Sequence, residues 1–184
     1  TIKYIFNNYI KMKTQRRMKR HVPEFQPVEP KIIESANNSG NQISEEELKS
    51  LNIISKSYFK KYRKNYVYEI NFSIYSNVDQ IKYGSFCFLH LYSIIIPPSL
   101  FILFPRAFKG CYYLYQIQFI KNISNQSMLK YICDEAFSDT KISSIIIPDS
   151  VKEIGSLCYP SCIFKIDLEN GLPELEKIGD AAFS

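Results

Sequence analysis

Thiol and imidazole groups are the side chains of this sequence with the clearest capacity for chemistry. The 184 residues include five cysteines and two histidines, which could coordinate zinc or form a nucleophile and its base. The cysteine pair Cys158-x-x-x-Cys162 has no second pair or histidine at the spacing of a zinc site. His21 and His90 have no nucleophile or carboxylate at the spacing of a catalytic motif. We therefore expect no enzymatic activity, no metal or cofactor and no small-molecule substrate.

The cysteines are better explained as small buried side chains. Cys111 and Cys162 stand at equivalent positions of a repeat, and Cys158 stands where other copies have serine or alanine. A free cysteine behaves as a small hydrophobic residue. The odd number of cysteines also disfavours a closed disulfide framework.

The repeat itself is the strongest pattern in the chain. An aliphatic residue is followed five positions later by an aromatic one, and a small residue directly precedes each aromatic. The aliphatic anchors recur at spacings of 22, 29, 22 and 24 residues, at Ile81, Leu103, Ile132, Ile154 and Ile178. The matching aromatic residues are Phe86, Phe108, Phe137, Tyr159 and Phe183, preceded by Ser85, Ala107, Ala136, Cys158 and Ala182. A motif with this period predicts one structural unit stacked on copies of itself.

A short strand is predicted at the start of each unit. The inward-facing pairs of these strands are Phe72/Ile74, Ile94/Ile96, Ile117/Phe119, Ile145/Ile147 and Ile166/Leu168. Pro97 and Pro148 end two of the strands because proline has no backbone donor for a neighbouring strand. The longest spacing predicts a polar loop of extra residues at 120–127.

These units resemble the BspA-like class of leucine-rich repeats. The family unit is similar to Leu-x-x-Ile-x-Ile-Pro-x-Ser-Val-x-x-Ile-Gly-x-x-Ala-Phe-x-x-Cys. This chain matches it at Ile145-x-Ile147-Pro148-x-Ser150-Val151-x-x-Ile154-Gly155 and at Ile178-Gly179-x-x-Ala182-Phe183. It departs from it where Lys82, Phe104 and Cys133 replace the glycine, and where Leu89 and Thr140 replace the final cysteine.

The resemblance covers residues 66–184 and implies both a fold and a class of function. The implied fold is a right-handed leucine-rich-repeat β-solenoid of short parallel strands. The implied function is protein contact and cell-surface adhesion, with no catalytic residue, so a cell-surface or secreted location is favoured over a cytoplasmic one. Because the sequence stops at Ser184 inside a unit, we expect the repeats to be truncated and the chain to be a fragment of a longer protein.

The N-terminal part differs from the repeats in charge and composition. Residues 1–64 carry 14 Lys/Arg and 6 Asp/Glu, whereas residues 65–184 carry 9 and 12. Residues 1–43 have the proline and asparagine content of a disordered basic tail and linker. Residues 44–65 begin with the capping box Ser44-x-x-Glu47 and continue with apolar residues at spacings of three and four, which predicts an amphipathic helix that caps the repeats. The basic run at 11–20 is either solvated or contacts nucleic acid or an acidic membrane.

The outward residues of the strands are the candidate binding site. They lie just before and between each inward pair, and Ser73 begins the row. The predicted protein-binding face is Ser93, Ile95, Gln116, Gln118, Ser144, Ile146, Lys165 and Asp167. Exposed apolar residues such as Ile95 and Ile146 often mark interaction sites, unless an insertion or the N-terminal segment covers them.

Two functional hypotheses follow. The first is a non-enzymatic module that contacts a protein ligand through this face, as in a surface or adhesion protein. The alternative is an intracellular scaffold or regulatory protein whose basic N-terminal segment binds nucleic acid or an acidic membrane. If the chain is secreted, Asn122 and Asn125 are the best placed of its four N-x-S sequons for glycosylation.

Overall fold

The computed structural model describes residues 51–60, 66–72, 77–159, 165–171 and 173–183. Within them the chain forms a parallel β-solenoid with little helix. Each unit contributes a longer strand to one side of the stack and a two-residue return strand to the other. The predicted fold class is confirmed.

The return strands form one continuous sheet. Six of them pair in parallel, in the order β1 (Ile53–Ile54), β3 (Gln80–Ile81), β5 (Ile102–Leu103), β7 (Tyr131–Ile132), β9 (Glu153–Ile154) and β11 (Lys177–Ile178). The longer strands form two parallel sheets. One contains β2 (Tyr66–Asn71), β4 (His90–Ile96) and β6 (Gln116–Phe119), and the other contains β8 (Ser144–Ile147) and β10 (Lys165–Leu168). The described helices are α1 (Lys56–Phe59) and a 3-10 turn at Glu169–Gly171.

A column of buried aromatic rings runs through the core between the two sides. We call Phe59, Phe86, Phe108, Phe137, Tyr159 and Phe183 the aromatic column. Neighbouring ring centroids are 4.5–5.5 Å apart, and four of the five pairs are nearly parallel, within 17°. This spacing is close to the separation of adjacent strands in a sheet. Each aromatic pair contributes about 0.5–1.5 kcal/mol beyond the burial of its surface.

The small residue before each aromatic is explained by the backbone bonds between units. The N–H of Phe86 donates to the carbonyl of Ala107 at 2.8 Å, and Phe108 donates to Ala136 at the same distance. The same bond joins Phe137 to Cys158 and Tyr159 to Ala182. The four accepting residues, Ala107, Ala136, Cys158 and Ala182, are buried in the core, where a small side chain fits.

The Pro-x-Ser segment after the strand also has a structural role. The hydroxyl of Ser99 donates to the carbonyl of Val78, and Ser150 donates to the carbonyl of Leu129, each at 2.8 Å. Both acceptors lie 21 residues earlier, in the preceding unit. The serine therefore satisfies a buried carbonyl of its neighbour in the stack.

The glycine of the best-formed units permits close contact between neighbouring turns. A side chain at Gly155 would meet the backbone of Cys133 and Asp134, and one at Gly179 would meet the backbone of Gly155 and Ser156. Glycine is required where two backbones approach this closely.

The predicted helix over 44–65 is wrong at Ile53–Ile54, whereas Lys56–Phe59 are helical. Ile53–Ile54 form β1, which pairs with β3, and helical structure is described only at Lys56–Phe59. Ile54 and Phe59 are fully buried and occupy the anchor and aromatic positions of a sixth unit. Pairing with the next unit overrides the local helical periodicity. Residues 44–50 and 61–65, like the predicted tail at 1–43, lie outside the described residues.

The predicted register of the first strand is also wrong, by two residues. Ile70 pairs with Ile94, where the sequence predicted Phe72. Phe72 is fully buried one step further along, and its N–H donates to Ile95. Residues 73–76, including Ile74 and Ser73, lie outside the described residues. The alternation of apolar residues is compatible with both registers, and only the contacts with β4 distinguish them.

The predicted loop at 120–127 coincides with a break between the two longer sheets. Residues 122–126 are exposed, and Asn122 closes the loop because its side-chain oxygen accepts from the N–H groups of Ser124 and Gln126. β6 and β8, on either side of this loop, belong to separate sheets.

In each of the five units after the first, a turn residue at the same position has a left-handed backbone. It is the third residue after each anchor, with φ between 48° and 59°, at Gly84, Arg106, Glu135, Leu157 and Ala181. A residue other than glycine in this conformation costs roughly 1–2 kcal/mol. The stack imposes this conformation even where the sequence does not favour it.

Replacing Leu157 with glycine is expected to raise the free energy of unfolding by about 0.5–1 kcal/mol, because it removes the Cβ that disfavours the left-handed conformation. Leu157 is exposed, so little packing is lost. Leu157→Ala is the matched control, since it removes the same side-chain surface and keeps Cβ. Urea denaturation would contradict the account if the glycine variant were no more stable than the alanine variant.

Tyr159 brings a second testable feature, because its hydroxyl is buried without a hydrogen-bond partner among the described residues. Burial raises the pKa of this phenol well above its usual value. Tyr159→Phe should therefore raise the free energy of unfolding by about 1–3 kcal/mol. In the wild-type protein this free energy should fall as the pH rises above 10, because the phenol then ionises in the unfolded chain but not in the fold, and the variant should lack this part of the pH dependence. A loss of stability in denaturant titrations of Tyr159→Phe would mean that the hydroxyl has a partner.

Candidate functional site

The outward side of β2, β4, β6, β8 and β10 is here called the strand face. The predicted residues on it that are exposed are Gln116, Gln118, Ser144, Ile146 and Asp167. Ile146 is the most exposed apolar side chain of these strands, at 59%. Ile95 is half-buried, and the side chain of Lys165 lies outside the described residues.

Strand pairing brings these residues into two rows across the stack. Ser93 pairs with Gln116 and Ile95 with Gln118, while Lys165 pairs with Ser144 and Asp167 with Ile146. Glu69 and Asn71 begin the rows through their pairing with Ser93 and Ile95. Glu69 and Asn71 were not predicted to lie on this face, because the first strand was predicted two residues too late in the sequence.

Ser93 is nearly buried, although it contributes to the lining of a depression on the strand face. Its exposed fraction is 8%, and its hydroxyl lies 3.4 Å from the Glu69 carboxylate. Ser93 and Ile94 are both buried in β4, so the alternation of inward and outward residues is interrupted there.

The strand face contains a shallow depression. Its lining includes Glu69, Tyr115, Gln116, Gln118 and Ser144. The lining therefore combines one aromatic ring, one carboxylate and two side-chain amides. These groups can accept and donate hydrogen bonds and can make apolar contacts. Binding through them requires neither a metal ion nor a reactive nucleophile.

A group of outward aromatic side chains adjoins the depression. We call Phe88, His90, Tyr92, Tyr112, Tyr113 and Tyr115 the aromatic ridge. Its members meet across two units in three pairs, with centroid distances of 6.4 Å for Phe88–Tyr112 and 5.4 Å for both His90–Tyr113 and Tyr92–Tyr115. The ridge was not predicted, although the aromatic residues on both sides of Leu91 and Leu114 were a visible signal, with His90 and Tyr92 at the first position and Tyr113 and Tyr115 at the second.

The side of the stack that carries the return strands has a different chemistry. Its charged residues pair between units, as in Lys130–Glu174 at 2.8 Å and Lys152–Glu176 at 3.0 Å. Glu135 accepts from Arg106 at 2.7 Å and also from Lys109. Hydrogen bonds from Lys109 and Arg106 hold the pKa of Glu135 below its usual value. Many charges on this side are thus already neutralised by partners within the chain.

The side chains considered first for chemistry do not converge. Cys111, Cys133 and Cys158 are free thiols, Cys87 is buried, and Cys162 lies outside the described residues. Burial raises the pKa of Cys111 to about 12, which disfavours the reactive thiolate. His90 packs against Tyr113 in the ridge. In the part of the chain that the structure describes, no group of three His, Cys, Asp or Glu residues could hold a metal ion.

None of the described helices has the length and apolar character needed to cross a membrane.

A comparison with protein families gives one match, and it spans most of the chain. The family model is described as a BspA type leucine rich repeat region (6 copies), and it matches residues 31–165 and 130–184. The matched residues include all six anchors that the structure places in the return sheet, of which Ile54 is the first. No curated protein and no solved structure matches the chain.

Proposed function

The chain belongs to the BspA-type leucine-rich repeat family, and from this premise we propose that it is a non-enzymatic module that binds a protein ligand through the strand face. Repeats of this kind generally mediate protein interactions. The proposal extends to a role as a surface or adhesion-type protein. The observation that carries it is the exposed, mostly uncharged row of Gln116, Gln118 and Ile146 on adjoining units.

The contrast between the two sides of the stack supports the choice of face. The side of the return strands satisfies many of its charges internally, through the pairs of Glu135, Glu174 and Glu176. The strand face instead presents amides, aromatic rings and an exposed isoleucine. Depletion of charge and enrichment of tyrosine are typical of the centre of protein interfaces.

Ile146→Lys is expected to weaken ligand binding at least tenfold, because the interface would have to bury an unpaired charge. The stability should not change, since Ile146 is exposed. Ile123→Lys is the matched control, because Ile123 is fully exposed at 106% in the loop at 120–127. Proteins captured from an extract by the wild-type chain would be identified by mass spectrometry, and their affinities measured with purified protein.

The discriminating result is a ligand that binds wild type and Ile123→Lys but not Ile146→Lys. Equal binding to all three proteins would contradict the assignment of the strand face. A lower melting temperature for Ile146→Lys alone would mean that this side chain packs in the core.

A further inference from the structure

The aromatic ridge is the part of the surface that the repeat pattern does not explain. Tyr112 is 52% exposed and Phe88 51% exposed, although each contacts the other. Tyr115 is 38% exposed and lines the depression of the strand face, so the ridge and the face are continuous. The stack does not need these rings for its core, which is filled by the aromatic column. Their exposure points to a ligand.

Aromatic rings attract cations, and this chain already uses that interaction elsewhere. The guanidinium of Arg106 lies 5.9 Å from the centre of the Tyr83 ring. The ammonium of Lys82 lies 4.6 Å from the centre of the Phe104 ring. Both contacts join neighbouring units on the side of the return strands. The ridge presents the same type of ring face to solvent.

The charge distribution favours a cationic ligand as well. Residues 65–184 contain 12 Asp/Glu and 9 Lys/Arg. The described charges on the strand face include Glu69, an exposed carboxylate that lines the depression. Exposed Lys141 adjoins the ridge, where its backbone N–H donates to the carbonyl of Leu114.

We propose that the aromatic ridge and the adjoining depression bind an extended segment of a partner protein that is rich in arginine. Guanidinium groups stack on the exposed rings of Tyr112 and Tyr115, and Glu69 pairs with a neighbouring cation. The amide oxygens of Gln116 and Gln118 accept hydrogen bonds from the same segment. This inference rests on the proposed function, since it names the class of ligand that the strand face binds.

A labelled peptide of ten alternating glycine and arginine residues is the probe, with a glycine–glutamate peptide of the same length for comparison. Fluorescence anisotropy would measure the affinity of each for the full 184-residue chain. The arginine peptide should bind, with an affinity that falls as salt is added. Any binding of the glutamate peptide through the basic residues of 1–64 should not depend on Tyr112 and Tyr115. The double substitution Tyr112→Ala and Tyr115→Ala should weaken binding about tenfold, because two ring contacts are lost.

Two control variants distinguish the loss of ring contacts at the ridge from the loss of any exposed ring and from the loss of the tyrosine hydroxyls. Phe101→Ala removes a ring of similar exposure, 43%, on the side of the return strands, and should leave the affinity unchanged. Replacing Tyr112 and Tyr115 with phenylalanine keeps the rings and should preserve binding. Absence of binding by the arginine peptide, or equal affinity for the alanine double variant, would overturn the proposal.

The chain's own basic run is the competing occupant. A variant without this charge tests the alternative. In it, glutamine replaces the six basic residues of the run, which are Lys11, Lys13, Arg16, Arg17, Lys19 and Arg20. Unchanged affinity for the arginine peptide supports a partner as the occupant. A tenfold or larger gain would reassign the ridge to this run and overturn the proposal. If the peptide fails to bind while a ligand sensitive to Ile146→Lys is found, only the inference about arginine fails and the proposed function stands.

Discussion

The hydrogen bond from the N–H of a core aromatic to the carbonyl of the small residue in the next unit, made by Phe86, Phe108, Phe137 and Tyr159, is the constraint on which the solenoid depends. It fixes the translation between units, and the rings then lie 4.5–5.5 Å apart because the backbones are held at strand spacing. The residues that accept these four bonds are all small and buried. Left-handed turns at Leu157 and Ala181 are tolerated because the stack holds them in place.

The same constraint shapes the surface. Since each unit repeats the position of the previous one, equivalent outward residues form rows, and a row of chemically similar residues becomes a continuous surface. On the side of the return strands, the rows contain side chains of opposite charge that form ion pairs between units. On the strand face, the rows contain side-chain amides and aromatic rings, and these groups can bind another molecule. The proposed function and the proposed ligand class both derive from this difference.

The part of the structure that repeats could be predicted from the sequence, whereas the parts that do not repeat could not be predicted from it. Anchors such as Ile81 and Ile154 and the aromatic column from Phe86 to Phe183 were identified because periodic burial leaves a periodic pattern. The first unit was missed because Tyr58 occupies the small-residue position and the spacing of Ile54 and Tyr58 also suits a helix. Ser93 was assigned to the surface because strict alternation was assumed, whereas β4 buries two successive residues. The aromatic ridge could not be deduced from the repeat motif, because its residues lie outside the buried anchor, small and aromatic positions that define the motif.

Hydrogen exchange at single amides tests the central constraint most directly. The account predicts that the N–H groups of Phe86, Phe108, Phe137 and Tyr159 exchange slowly and at similar rates, since all four make the same buried bond within one cooperative stack. The amide of Ile123, a fully exposed residue of the loop at 120–127, provides the reference for fast exchange. Exchange of the four amides as fast as that of the loop would show that the bond between aromatic and small residue does not hold the units together.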